Sequence, residues 1–142
     1  MTIGLVRKLA VASLVFGFVC VPEALCRDVV RKVIFPKGRS TVTFNGRLPR
    51  EYAVYHAYVL RAKRGQRLSV KLTTADLDAS FSIYETKRFG PDEDTIFLQD
   101  PAIREHTAVL PITSEYSVQV YGVKDFDDRP SGSVYSIEIT LR

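Results

Sequence analysis

From Val29 onward, apolar and polar residues alternate with a period of two rather than 3.6. Leu68-Ser69-Val70-Lys71-Leu72-Thr73, Phe81-Ser82-Ile83-Tyr84, Tyr116-Ser117-Val118-Gln119-Val120-Tyr121 and Tyr135-Ser136-Ile137-Glu138-Ile139-Thr140-Leu141 all follow it. Successive side chains of a strand point to opposite faces, so this pattern puts one face in a core and the other in water. Residues 52–60 (YAVYHAYVL), rich in aromatic and β-branched side chains, predict another strand. Val33-Ile34-Phe35, Val42-Thr43-Phe44 and Ala108-Val109-Leu110 predict shorter ones. Turn signals fall between them: Pro36-Lys37-Gly38, Asn45-Gly46, Arg64-Gly65, Gly90-Pro91 and Pro130-Ser131-Gly132. No stretch of helical length carries an apolar stripe at three- and four-residue spacing. The pattern predicts an all-β fold, a single antiparallel β-sandwich of about eight strands.

The first residues read differently. Arg7 and Lys8 precede the apolar run 9–21, which ends at Pro22 and the polar Glu23. That is the layout of a cleaved signal peptide, with an apolar core too short to remain as a membrane span. Cleavage after Cys26 places two small residues, Ala24 and Cys26, three and one positions before the cut. Neither Cys20 nor Cys26 follows the small residue that a lipid-modified cysteine requires. The expected division is thus a signal peptide over 1–26 and one domain over 27–142, exported to the periplasm.

Removing that segment changes the arithmetic. Of 20 Lys and Arg and 16 Asp and Glu, 18 and 15 remain, a charge of +3, and both cysteines are gone. An exported domain with no disulfide relies on its apolar core or a metal. With 46% hydrophobic and 25% charged residues in 142, the chain fits one globular domain. A small positive excess with no concentrated basic stripe argues weakly for nucleic acid.

Candidate chemistry is sparse. The two histidines, His56 and His106, both fall in strand-like runs, and no His-x₃-His or cysteine spacing supports a zinc site. No Gly-x-Ser-x-Gly elbow and no glycine-rich phosphate loop occur. Acids cluster at Asp92-Glu93-Asp94 and Asp125-Phe126-Asp127-Asp128. Consecutive carboxylates on a loop tip do not face each other across a cleft as a glycosidase pair does. Hard oxygen ligands suit calcium, but neither cluster has EF-hand spacing, and a charged loop also keeps a sheet edge soluble. No catalytic residue, cofactor or metal is expected, and the protein is read as a non-enzyme.

The most unusual segment is 122–132 (GVKDFDDRPSG), which joins two strongly alternating strands by more residues than a tight hairpin needs. It combines Phe126, two cations and three acids. Loops on a rigid sandwich often carry binding function. Two readings stand: a partner site, or a tip on which Phe126 folds back while the charges solubilise it.

Phe35-Pro36-Lys37-Gly38-Arg39-Ser40, Asn45-Gly46, residues 52–58, Ala62-Lys63-Arg64-Gly65-Gln66-Arg67-Leu68-Ser69-Val70, residues 110–116 and the terminal strand resemble, in order and spacing, the bacterial periplasmic inhibitors of g-type lysozyme. The inhibitors of i-type lysozyme and the pre-peptidase C-terminal type of sandwich share parts of the pattern. The resemblance implies a periplasmic β-sandwich that inserts loops into a host lysozyme's substrate cleft. In that family a tyrosine before the long early strand and two basic residues on the late loop touch the enzyme. Tyr52 matches the tyrosine, with a residue or two extra after Gly46, and Lys124 matches the first cation. The second falls on Asp128, with Arg129 beside it, and Phe126 lies between the two cations. The family's Ser-Gly-x-Tyr run is Thr113-Ser114-Glu115-Tyr116 here, so only Tyr116 is carried over, as structural. The expected partner is lysozyme, with neither nucleic acid nor membrane for the mature form. The competing reading is a stand-alone carbohydrate- or calcium-binding domain, using Tyr55 and Tyr58 or the acidic loops. An enzyme using His56 or His106 is the third.

Overall fold

The computed structural model describes residues 29–49, 55–74, 79–86, 95–98, 100, 102–122 and 133–142. Within them lie nine strands: β1 (Val29–Lys32), β2 (Thr41–Leu48), β3 (Tyr55–Ala62), β4 (Arg67–Thr74), β5 (Ala79–Glu85), β6 (Thr95–Phe97), β7 (Glu105–Val109), β8 (Ser114–Gly122) and β9 (Ser133–Leu141). They form a five-stranded sheet ordered β1-β3-β8-β5-β6 and a four-stranded sheet ordered β2-β9-β4-β7. The all-β sandwich expected from the period of two is the observed architecture.

The alternation sets the core. Tyr58, Leu60, Phe81, Ile83, Tyr116 and Val118 of the five-stranded sheet meet Leu68, Val70, Leu72, Tyr135, Ile137 and Ile139 of the other, all 2% exposed or less. Burying side chains of this size stabilises by about 1.5–3 kcal/mol each before chain entropy is counted. Tyr116 is structural, as expected: its ring is fully buried and its hydroxyl donates to the Ile112 carbonyl at 2.6 Å.

Four features depart from the sequence reading. The sandwich is not wholly antiparallel, because β1 adds to β3 in parallel, Val29 opposite His56 through Lys32 opposite Val59. The edge strand there is 29–32; Val33, Ile34 and Phe35 follow it outside any strand, though the Val33 amide still bonds the Val59 carbonyl at 2.8 Å. The three-residue β6 had no predicted counterpart. Finally, Asn45-Gly46 is no turn: β2 runs straight through it, with Gly46 opposite Tyr135 of β9. A Cβ at Gly46 would overlap the Tyr135 ring, so glycine serves close approach rather than chain reversal. Gly46→Ala is expected to cost about 1–3 kcal/mol, read as a lower urea midpoint at unchanged slope.

Two other turn signals hold. Gly38 (φ 77°) and Gly65 (φ 83°) occupy the left-handed region that their turns require. The Arg39 amide closes the first turn on the Pro36 carbonyl at 2.9 Å. The second is tied to the β7–β8 connection by Arg64 N–H to Thr113 Oγ1 at 3.0 Å and Gly65 N–H to the Leu110 carbonyl at 2.9 Å. Gly90-Pro91 and Pro130-Ser131-Gly132 lie outside the described residues, as does the segment expected to be a signal peptide.

Candidate functional site

Tyr52, Lys124, Phe126 and Arg129 also lie outside the described residues, but the strand ends that carry them do not. The chain leaves β2 at Leu48 and enters β3 at Tyr55, passing through Tyr52. It leaves β8 at Gly122 and enters β9 at Ser133, passing through the other three. Leu48 is the register partner of Ser133, and Tyr55 that of Tyr121, next to Gly122. Both segments therefore begin and end at one end of the sandwich, crossing between the sheets in opposite senses. Paired strands stand about 4.8 Å apart, so the attachment points are immediate neighbours. Ala79, opposite Gly122, brings the end of the 75–78 connection to the same place. Residues more than seventy positions apart in sequence are thus rooted together by strand register.

The scaffold beneath this end is aromatic and hydrogen-bonded. On the outer face of the five-stranded sheet, the Tyr55 and Tyr121 rings lie 6.2 Å apart at 59°. The Tyr121 hydroxyl bonds that of Tyr84 at 2.9 Å and lies 3.1 Å from Gln119 Oε1. Burial pushes the Tyr121 phenol well above its ordinary range. These contacts stiffen the strand ends from which the two segments spring.

Inside the sandwich, Tyr135 reaches from β9 across to β3. Its hydroxyl lies 2.6 Å from His56 Nδ1 and 2.6 Å from the Tyr58 hydroxyl, and all three residues are buried. Tyr135 has one proton to give, so it donates to one neighbour and accepts from the other. His56 is therefore a buried sheet histidine whose Nδ1 is satisfied by Tyr135. Its pKa is lowered, first by burial and then by the Arg31 guanidinium, so the folded protein favours the neutral ring. At pH values between that lowered pKa and 6.5 the unfolded chain binds the proton more readily. The contribution of neutral His56 is complete above pH 6.5 and is lost as the pH falls through the lowered value. Urea midpoints measured from pH 7.5 down to 5 should fall more for the native chain than for His56→Asn.

His106 is elsewhere, stacked on Phe97 with ring centroids 4.2 Å apart. The structure does not bring the two histidines into one site, and among the described residues no three His, Cys, Asp or Glu side chains gather to hold a metal. Tyr55 and Tyr58 do not share a surface either, since odd spacing sends Tyr58, 1% exposed, into the core. That corrects the glycan platform imagined around them. Two hollows of about 360 and 400 Å³ lie on the outer face of the four-stranded sheet and at the opposite end of the sandwich, away from the rooted segments. The Tyr135 network went unpredicted, although Tyr135 occupies an inward position of its alternating strand; its partners sit on a strand far away in sequence.

No family model and no curated protein matches the chain. Solved structures do share its fold. The Aeromonas hydrophila protein PliG, a periplasmic lysozyme inhibitor of g-type lysozyme, superposes with a TM-score of 0.69 at 21% identity, over 82% of this chain and 98% of that one. Its Salmonella Typhimurium counterpart gives 0.60 at 19% identity, over 82% and 100%. The pre-peptidase C-terminal domain of a Bacillus anthracis collagenase gives 0.54 at 8% identity, over 82% and 97%. Two of the sandwiches named by the sequence resemblance, the g-type lysozyme inhibitors and the pre-peptidase C-terminal domain, are thus sandwiches whose fold this chain shares.

Proposed function

We propose that this chain is an exported, periplasmic inhibitor of lysozyme, most directly of the g-type, with no bond-breaking activity of its own. In this reading the 49–54 and 123–132 segments enter the enzyme's substrate cleft together. The observation that carries it is their common rooting: Leu48 with Ser133 and Tyr55 with Tyr121 place both at one end of a stiff sandwich. The shared fold with inhibitors of that class supports it.

The mechanism follows from the enzyme's own requirement. A lysozyme cleft depends on a carboxylic acid whose protonation and access to the sugar are both essential. Lys124 or Arg129 against such a group would favour its ionised form and occupy its place. Tyr52 and Phe126 supply rigid apolar area at modest entropy cost. Lysozymes are usually cationic, so Asp125, Asp127 and Asp128 assist encounter. The test is an inhibition assay of the exported protein against c-, g- and i-type lysozymes side by side. Inhibition strongest for the g-type is expected, and full activity of all three at micromolar protein would end the proposal. The second reading is a calcium-binding accessory domain that uses the acids of the 92–94 and 125–128 runs. A calcium-dependent rise in melting temperature without inhibition would select it.

A further inference from the structure

At the end of the sandwich opposite the rooted segments, the fold gathers six cations on the β2-β9-β4 strand ends and the turns beside them. Leu141 N–H bonds the Ser40 carbonyl at 2.8 Å, and Arg67 and Arg142 exchange backbone bonds at 2.8 and 3.0 Å. Arg39, Arg142 and Arg67 therefore stand on or beside three consecutive strand ends, in the order β2-β9-β4. The turn leading into Arg67 adds Lys63 and Arg64, and the turn before Arg39 adds Lys37. All six residues are exposed, and Arg67 and Arg142 border a hollow on the outer face of the four-stranded sheet that Glu105 and Glu138 also line.

Of the strand acids near this end, Glu85 is buried, and three others stand opposite cations outside the six. Glu105 and Glu138 both stand opposite Lys71, and Glu115 stands opposite Arg61. The 87–94 segment, which holds Asp92, Glu93 and Asp94 with Lys87 and Arg88, leaves β5 after Glu85 and enters β6 at Thr95, so it is rooted at this same end, at the β5–β6 edge rather than the β1 edge. The acids Asp125, Asp127 and Asp128 belong to the segment rooted at the other end. Within the end that holds the six cations, they gather on the β2-β9-β4 side and the turns beside it, and the acidic 87–94 segment is attached at the opposite edge of the other sheet.

Beside the cations, Ile34 is 71% exposed, and the neighbouring connection presents Pro111 to solvent. Cations flanking an exposed apolar side chain suit the boundary of an anionic bilayer, where charge attracts and the apolar group enters the headgroup layer. A nucleic-acid surface gives the isoleucine nothing to enter.

Contrary to the sequence expectation of no membrane contact for the mature form, we infer that this basic pole docks peripherally on anionic membrane lipid, leaving the opposite end, with its two rooted segments, free. The inference rests on the export half of the proposed function, not on lysozyme. The test is sedimentation of the exported protein with vesicles of phosphatidylglycerol and phosphatidylcholine, against phosphatidylcholine alone, at 0.05 and 0.5 M NaCl. Binding to the anionic vesicles at low salt is expected, with release at high salt. The combined change Arg39→Gln, Lys63→Gln and Arg64→Gln should lower partitioning at least about tenfold. Ile34→Ser should weaken it further, whereas Lys124→Ala should not. Equal binding to neutral vesicles, undiminished binding by the triple variant, or capture of duplex DNA in place of vesicles would overturn it. No lysozyme is present in this assay, so its failure and that of the inhibitor reading are distinguishable. Melting temperatures of the triple variant check that it folds.

Discussion

Alanine in place of Lys124 or of Arg129 should loosen inhibition of a g-type lysozyme at least tenfold, about 1.4 kcal/mol, with the melting temperature unchanged. A cation set against a cleft carboxylate is charge-assisted and sheltered from water, the setting in which a single truncation is most costly. Both residues lie on the connection between Gly122 and Ser133, outside the strands that form the core. Folding should therefore be indifferent to them. Inhibition constants paired with thermal melts separate the two effects. Two variants that inhibit like the parent would remove the cations from the mechanism. Tyr52→Ala, on the neighbouring segment, should show the same pattern through lost aromatic contact. A combined Tyr52 and Lys124 variant measures whether the two segments act on the enzyme as one surface, because only coupled contacts depart from additivity.

Tyr135→Phe should destabilise the fold by about 1–3 kcal/mol without touching any surface. The change removes only a hydroxyl, yet that hydroxyl serves both His56 Nδ1 and the Tyr58 hydroxyl at 2.6 Å. Two buried polar groups lose a partner, and the penalty is that of leaving them unsatisfied. Tyr58→Phe should cost less, because Tyr135 then keeps His56. The double variant Tyr58→Phe with Tyr135→Phe gives the coupling directly, read from urea unfolding. Equal losses for the two single variants would mean that the network is not centred on Tyr135.

The period of two made the fold legible because it is a local property: each strand's own side chains say which face is buried. Residues 68–73, 81–84, 116–121 and 135–141 all lie inside observed strands for that reason. What local pattern cannot carry is pairing. Nothing near residue 46 announces that the Tyr135 ring will lie over it, so a dipeptide with strong turn chemistry was read as a turn. The parallel attachment of β1 was invisible for the same reason, since period alone has no direction. At the candidate site the sequence supplied the residue types, through family resemblance, whereas register supplied their common root. The basic pole shows the converse: its cations are scattered in sequence and are collected only by hydrogen bonds between strand ends.

The position of β9 has a consequence for biogenesis. The last strand in the chain is an interior member of its sheet, bonded to β2 on one side and β4 on the other. Contacts of such long sequence separation form late and slowly. Until residues 133–141 are available, β2 and β4 have no strand to join them. If exported as proposed, the nascent polypeptide would thus stay unfolded in transit, and a product truncated before Ser133 would be left for proteases. Under the proposed export, late assembly of this kind would keep the precursor competent for secretion.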